Sequence, residues 1–239
     1  MRLNLSLHGG KGLSSVPPLP SGWWDNNGAI AGCVGAYQGL GAATYAASLA
    51  NLANPGVNNL ADGNHAPTFD SASGWKFNGS SQYLDTGILV TNNHTLIVAF
   101  YGGAEFGDGW VGGVDGYVAP PDVMQFGFAP NASGLYKRYY CGGLEQVSGK
   151  LWHATTKYVV ALNRSGAWIG GVADAGFVEY AAAWNGVNAA PLFLGARSDP
   201  GDPADNFWSG YLLAAALYNT PLSEADVQTI TAAIQALWA

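Results

Sequence analysis

The sequence predicts an all-β fold, a sandwich of two antiparallel sheets with one C-terminal helix. Three observations predict it. From residue 69 onward, short apolar runs recur every 10–15 residues with Gly, Asn and Asp between them, the spacing of sandwich strands. No helical segments alternate with these runs, which excludes a parallel α/β sheet. A single amphipathic pattern follows the last run.

The elements follow in chain order. Residues 1–22 form a separate extended arm, because the prolines and glycines of HGGKGLSSVPPLPSG forbid a regular ladder or helix. Leu3, Leu5 and Leu7 alternate with polar residues as a strand would. The arm therefore reads either as a disordered terminus or as a strand that docks on a neighbouring chain. The remaining residues, 23–239, form one domain. Trp23 and Trp24, just past the arm, suit a subunit contact, where Trp is enriched, and suit burial against the sandwich equally. Residues 30–38 (IAGCVGAYQ) read as a first buried strand. Residues 41–53 are Ala-rich and stop at Asn54-Pro55-Gly56, which predicts a short helix. FDSASGWKFNG and QYLDTG flank Asn78-Gly79, a hairpin dipeptide. Further strands are expected in HTLIVAFYG, GWVGGVDG, VMQFGFAP, GLYKRYYCGG, KLWHATTKYVVALN, SGAWIGGVADAG, APLFLGARS and FWSGYLLAAALYN. At the end, Ser223 caps a helix, with Asp226 in the third position and Leu222 stapled to Val227. Val227, Ile230, Ile234 and Leu237 then share one face and pack on a sheet.

Composition narrows the function classes. Charged residues are 10% of the chain, against roughly 25% in ordinary globular proteins. The net charge of −7 disfavours nucleic acid, since a phosphate backbone would be repelled. Lys137-Arg138 is the only basic doublet, too little for an anionic membrane surface. No apolar run approaches the ~20 residues of a membrane span, and the N-terminus lacks the continuous apolar stretch of a signal peptide. Cys33 and Cys141 read as two small buried hydrophobes, with one long-range disulfide as the lesser alternative.

Three segments carry a family resemblance. GWKFNGSSQYLDTG (74–87) matches an F-x-G-x-x-x-Y strand pair through Phe77, Gly79 and Tyr83. KLWHATTKYVVALN (150–163) matches a W-H strand through Trp152 and His153. FWSGYLLAAALYNTPLSEADV (207–227) matches a terminal strand running into a short helix. Their order and spacing resemble the concanavalin A-like (LamG-like) jelly-roll superfamily, over roughly residues 30–238. The resemblance implies two antiparallel sheets of about six or seven strands each. It also implies glycan or protein binding, with glycan hydrolysis in some members, and it extends to short phage virion proteins. Fold alone does not fix function.

Glycoside hydrolysis needs two carboxylates facing each other ~5–9 Å apart, and the hydrolases of this superfamily carry Glu-x-Asp-x-x-Glu or Glu-x-Asp-x-Glu on one strand. That motif is absent. The four glutamates are Glu105, Glu145, Glu179 and Glu224. Glu105 and Asp108 lie three apart, which on a strand puts them on opposite faces, and Glu224 belongs to the helix start. No G-x-S-x-G elbow, zinc motif or phosphate loop occurs. His153 reads as a hydrogen-bonded structural histidine. Calcium is the one metal to weigh: Asp199, Asp202 and Asp205 place three carboxylates in one loop, although Asp, Pro and Gly are ordinary turn formers. Five N-x-(S/T) sequons, at Asn4, Asn78, Asn93, Asn131 and Asn163, read as turn chemistry.

Sugars are held by an aromatic ring on the C–H face and amide or carboxylate groups on the hydroxyls. Trp110 in GDGWVGG, Tyr117, Tyr139, Trp184 and Asn185 are the expected carbohydrate-binding residues, the glycines about Trp110 suggesting a turn that presents its ring. Trp75, Phe77, Trp152, Phe193 and Phe207 are assigned to the core by their strand context.

These readings combine into an expected function: a non-enzymatic structural and adhesive module on a phage virion surface, as a head decoration, fibre or tail component. It would need no cofactor, would assemble with other virion proteins or with copies of itself, and would grip cell-surface glycans. The expected location is the virion surface or the extracellular space. A free-standing carbohydrate-binding lectin is the alternative, and a divergent glycosidase the third reading.

Overall fold

Leu84, Thr86, Ile88 and Val90 are buried, and Asp85, Gly87, Leu89 and Thr91 between them are not. That period of two marks a strand with one face on a core. The computed structural model describes residues 22–102, 109–117, 123–130, 136–141, 144–151, 153, 155–177, 187–198 and 204–239, with backbone alone at 115–117, 123–125, 130, 136–141, 144–151 and 187–189. Its strands are β1 (Cys33–Gln38), β2 (Ala61–Asp62), β3 (Thr68–Asp70), β4 (Gly74–Asn78), β5 (Leu84–Thr91), β6 (Thr95–Tyr101), β7 (Gly112–Tyr117) and β8 (Val123–Pro130). They continue with β9 (Tyr136–Cys141), β10 (Leu144–Leu151), β11 (Tyr158–Asn163), β12 (Gly166–Ile169), β13 (Val172–Ala173), β14 (Val187–Leu194), β15 (Arg197–Ser198) and β16 (Ser209–Tyr218). The helices are α1 (Tyr45–Ser48) and α2 (Glu224–Gln235), the latter ending in a 3-10 turn, Ala236–Trp238.

The strands form two sheets, as the sequence predicts, each of eight strands among the described residues rather than six or seven. Sheet I runs β13-β12-β11-β6-β16-β4-β3, and β1 pairs with β16. Strand β6 runs along one edge of β16, while β4 takes Ser209–Leu212 and β1 takes Ala214–Tyr218 on the other. Sheet II runs β10-β9-β8-β7-β14-β5-β2. Its pairings are antiparallel except for β15, which lies parallel to β7. The main core lies between the sheets: Trp75, Phe77, Val98, Phe100, Leu212 and Trp208 on one side, Leu84, Val114, Phe126, Phe128 and Leu194 on the other.

Sheet I is buried on both faces where α2 covers it. This explains why β6 and β16 read as near-continuous apolar runs instead of alternating ones. Ile97, Ala99, Ala214 and Ala216 meet Val227, Ile230 and Ile234 in a second core. The predicted cap is present: the Ser223 hydroxyl accepts from the Asp226 amide (3.2 Å) and donates to Asp226 Oδ2 (2.7 Å). The helix start is anchored by Thr95, whose hydroxyl accepts from the Leu222 amide (2.9 Å) and donates to the Thr220 carbonyl (2.8 Å). Asn163 Nδ2 donates to the Leu222 carbonyl (3.1 Å) and is wholly buried, so this sequon is a packing residue. No helix among the described residues is long and apolar enough to cross a membrane.

Several local expectations change. Asn78-Gly79 does not make a hairpin, because β4 lies in sheet I and β5 in sheet II. Asn78 Oδ1 instead accepts from the Ser80 and Ser81 amides (3.0 Å each), turning the chain across the sandwich. The helix expected over 41–53 is the single turn α1. Asn51 ends it by taking backbone partners outside any helix: its Oδ1 accepts from the Ala36 amide (3.0 Å), and its Nδ2 donates to the carbonyls of Val34 (2.9 Å) and Val57 (2.8 Å). Trp23 and Trp24, read as suiting a subunit contact or burial against the sandwich, are half-buried on the chain's own sheet I. Trp23 Nε1 donates to Gln38 Oε1 (2.8 Å), and the Trp24 carbonyl accepts from the Tyr218 hydroxyl (2.7 Å). Leu3, Leu5 and Leu7 lie outside the described residues. Cys33 is a free thiol, and burial pushes it up to about 12. Cys141 is described in backbone only.

Candidate functional site

The outer face of sheet II gathers aromatic and charged residues that no single segment of sequence brings together. Residues opposite one another in antiparallel pairs share a face. The register therefore defines one row across the sheet: Ala61, Asp85, Phe193, Gly113, Gly127, Tyr140 and Glu145. Strands lie about 4.8 Å apart, so the part of the row from Asp85 on β5 to Glu145 on β10 is roughly 24 Å long.

At the β5 end, Tyr83 and Phe193 stack with ring centroids 4.4 Å apart and planes 27° apart. Phe207 approaches Tyr83 at 6.4 Å. The three form a small apolar cluster of their own, separate from the main core. Tyr83 and Phe193 are 7% and 6% exposed, while Phe207 is only half-buried and offers more of its ring to solvent. Asp85 sits beside the stack, in register with Phe193 and two residues along the strand from Tyr83. Its Oδ1 accepts from the Gly87 amide (2.7 Å). Partial burial raises its carboxyl above the usual aspartate range, against the opposing pull of that amide. Burial, and secondarily the Asp85 charge, raises the Tyr83 phenol.

Trp110 occupies the middle of the face, but not as expected. It is 4% exposed. The neighbouring glycines do not present the ring; they make room beneath it. A Cβ on Gly113 would stand 2.1 Å from Trp110 Cε3, and one on Gly127 would stand 2.6 Å from Cζ3. The Arg197 guanidinium carbon lies 5.9 Å from the indole centroid, in cation–π range. Asp205 holds that guanidinium with two bonds, Nε to Oδ1 at 2.8 Å and a terminal nitrogen to Oδ2 at 2.5 Å. Trp110 is thus part of the wall of the face rather than an exposed stacking ring.

The other expected residues distribute as follows. Tyr117 closes β7 opposite Val123, described in backbone only. Tyr139 is in register with Phe128, in the core row; its neighbour Tyr140 is the one in the outer row. Trp184 and Asn185 lie outside the described residues. Of the calcium candidates, Asp199 and Asp202 also lie outside them, and Asp205 is engaged by Arg197. No group of three metal-ligating side chains occurs among the described residues. His153 is exposed, and its backbone amide, not its ring, donates to the Tyr158 hydroxyl (2.9 Å). Sequence reasoning placed Phe193 and Phe207 in the main core and passed over Asp85 and Arg197. The alternation around Leu84–Thr91 was the available signal for Asp85. Nothing in the sequence linked it to Arg197.

No protein-family model matches the chain, and no curated protein matches it. Solved structures do match. A Trypanosoma rangeli sialidase in complex with 2,3-difluoro-KDN is 18% identical over 94% of this chain, with a TM-score of 0.62. The same organism's sialidase in complex with sialic acid is 17% identical over 86% of the chain, with a TM-score of 0.60. Domain 4 of AbnA, a GH43 extracellular arabinanase from Geobacillus stearothermophilus, in complex with arabinotriose, is 11% identical over 84% of the chain, with a TM-score of 0.54. The chain spans about a third of the sialidases (36% and 33%) but 98% of the arabinanase domain. The fold is therefore a β-sandwich that carbohydrate-active proteins contain. This overturns two expectations. The similar structures are sialidases and a domain of an arabinanase, so neither the phage virion module nor the assignment as non-enzymatic stands.

Proposed function

We propose that the chain is a carbohydrate-binding β-sandwich of the concanavalin A-like jelly-roll type, belonging to a protein of glycoside-hydrolase kind. It holds an oligosaccharide on the outer face of sheet II. One observation carries this reading: a single register row sets Asp85 beside the Tyr83–Phe193–Phe207 cluster and leads past the Trp110–Arg197 wall. Apolar rings with a few placed polar groups are the composition of a ligand site. The near-complete match to an arabinanase domain in complex with arabinotriose supports binding by the sandwich itself.

In this site the Phe207 edge packs on sugar C–H groups. The Asp85 carboxylate accepts from hydroxyls, and the Asp205 pairing keeps Arg197 against the indole. Titration calorimetry with arabinotriose and a screen of an immobilised glycan panel test the reading. Saturable binding, lost in Phe207→Ala at unchanged unfolding temperature, is expected. Binding unaffected by Phe207→Ala and by Asp85→Asn would place the ligand elsewhere. Absence of binding across the panel would remove the reading, and release of reducing sugar from arabinan or sialyllactose would extend it to hydrolysis.

A further inference from the structure

The same face also constrains which sugars it takes. We infer that the site selects neutral glycans over acidic ones, disfavouring sialylated and uronic sugars although similar structures include sialidases. The inference rests on the carbohydrate-binding reading above and specifies its ligand class.

Arg197, the cation among the site's described side chains, has its charge met by Asp205 through a two-bond fork, the geometry in which guanidinium and carboxylate neutralise each other best. It also lies against the Trp110 ring. A ligand carboxylate would have to compete with Asp205 for it. Asp85, by contrast, is half-buried with the backbone amide of Gly87 as its partner and, among the described residues, no basic side chain bonded to it. It stands in the row next to Phe193, whose cluster includes the Phe207 ring assigned to the sugar. Among the described side chains the face carries Asp85 and Asp205 against Arg197, within a chain of net charge −7.

A carboxylate accepts hydrogen bonds and cannot donate them. Sugar hydroxyls donate to Asp85, whereas a sugar carboxylate only repels it. At a separation of about 7 Å, that repulsion weakens binding by about threefold at a water-like dielectric and by up to about fiftyfold at that of a protein surface.

The experiment uses matched pairs on the full chain: arabinotriose as the neutral reference, lactose against 3′-sialyllactose, and methyl-esterified against free oligogalacturonate. Each is measured at about 20 mM and about 300 mM salt, where screening differs strongly. The expected result is that every glycan that binds is neutral, or is the neutral member of its pair and at least threefold tighter. The gap narrows at high salt and in Asp85→Asn. An acidic member that binds as tightly as its neutral partner overturns the inference while leaving the carbohydrate-binding reading intact. Failure of all glycans to bind removes both.

Discussion

Replacing Asn51 by alanine is expected to remove about 3–5 kcal/mol of stability. Asn51 is wholly buried. Its Oδ1 accepts from the amides of Ala36 (3.0 Å), Ala53 (3.1 Å) and Asn54 (3.3 Å), and its Nδ2 donates to the carbonyls of Val34 and Val57. These partners are not equal. Ala36 is itself wholly buried, so its amide stays without a partner after the substitution, at about 1–3 kcal/mol. The other four groups lie on residues that are half-buried or exposed, and water replaces much of each lost bond, leaving roughly 0.5 kcal/mol apiece. Urea unfolding at neutral pH measures the change as a shift in midpoint at constant slope. Asn51→Asp is the informative companion, since it keeps one oxygen as acceptor for the amides but puts the other, in place of Nδ2, against the carbonyls of Val34 and Val57. It should be destabilised at neutral pH and recover in acid as the carboxyl gains a proton. A loss below about 1 kcal/mol for Asn51→Ala would show that the 51–59 loop is held by something other than this side chain.

Four further outcomes follow from the same structure. Asp85 has a raised carboxyl pKa; the native state therefore binds the proton more readily than the unfolded chain, and this contribution to stability is lost as pH rises through the folded value. Asp85→Asn should accordingly raise the unfolding temperature at neutral pH, with the gain vanishing below the usual aspartate range; a lower temperature at neutral pH would refute this. His94 behaves oppositely. Burial lowers its pKa from 6.5, while its Nδ1 accepts from the Thr91 amide (2.9 Å). Its contribution is present above the unfolded value and lost as pH falls through the folded one, so His94→Asn should flatten the stability profile on the acid side of 6.5, as thermal scans across that range would show. Gly113→Ala drives a methyl into the Trp110 ring, which Gly127 prevents from simply shifting; a loss of roughly 1–3 kcal/mol in chemical unfolding is expected, and no loss would mean the indole does not lie on β7. Cys33, with its thiol pushed up to about 12, should react with a disulfide reagent at neutral pH far more slowly than a free thiol does, and rapid labelling of the folded protein at that residue would contradict its burial.

Period and punctuation determined a good deal. The alternation in Leu84–Thr91, the unbroken apolar runs of β6 and β16 and the Ser223 cap each state a local preference that the backbone follows, because which face is apolar and which hydroxyl meets a free amide are properties of neighbouring residues. They were enough for two sheets and a closing helix. Local pattern misled where a residue had two uses. Asn78-Gly79 suits a hairpin turn and a crossover alike, and the partner strands alone decide which. Tyr139 and Tyr140 are adjacent, and a one-residue choice of register settles which shares the outer row. Glycines beside Trp110 look the same whether they expose a ring or receive one. The tertiary structure also decided the site itself. Asp85 is remote in sequence from Phe193 and Arg197 and meets them through pairings of β5, β14, β15 and β7, whose register no local signal encodes. A sheet face is assembled by long-range hydrogen bonds, so its chemistry is written across the strands rather than along them.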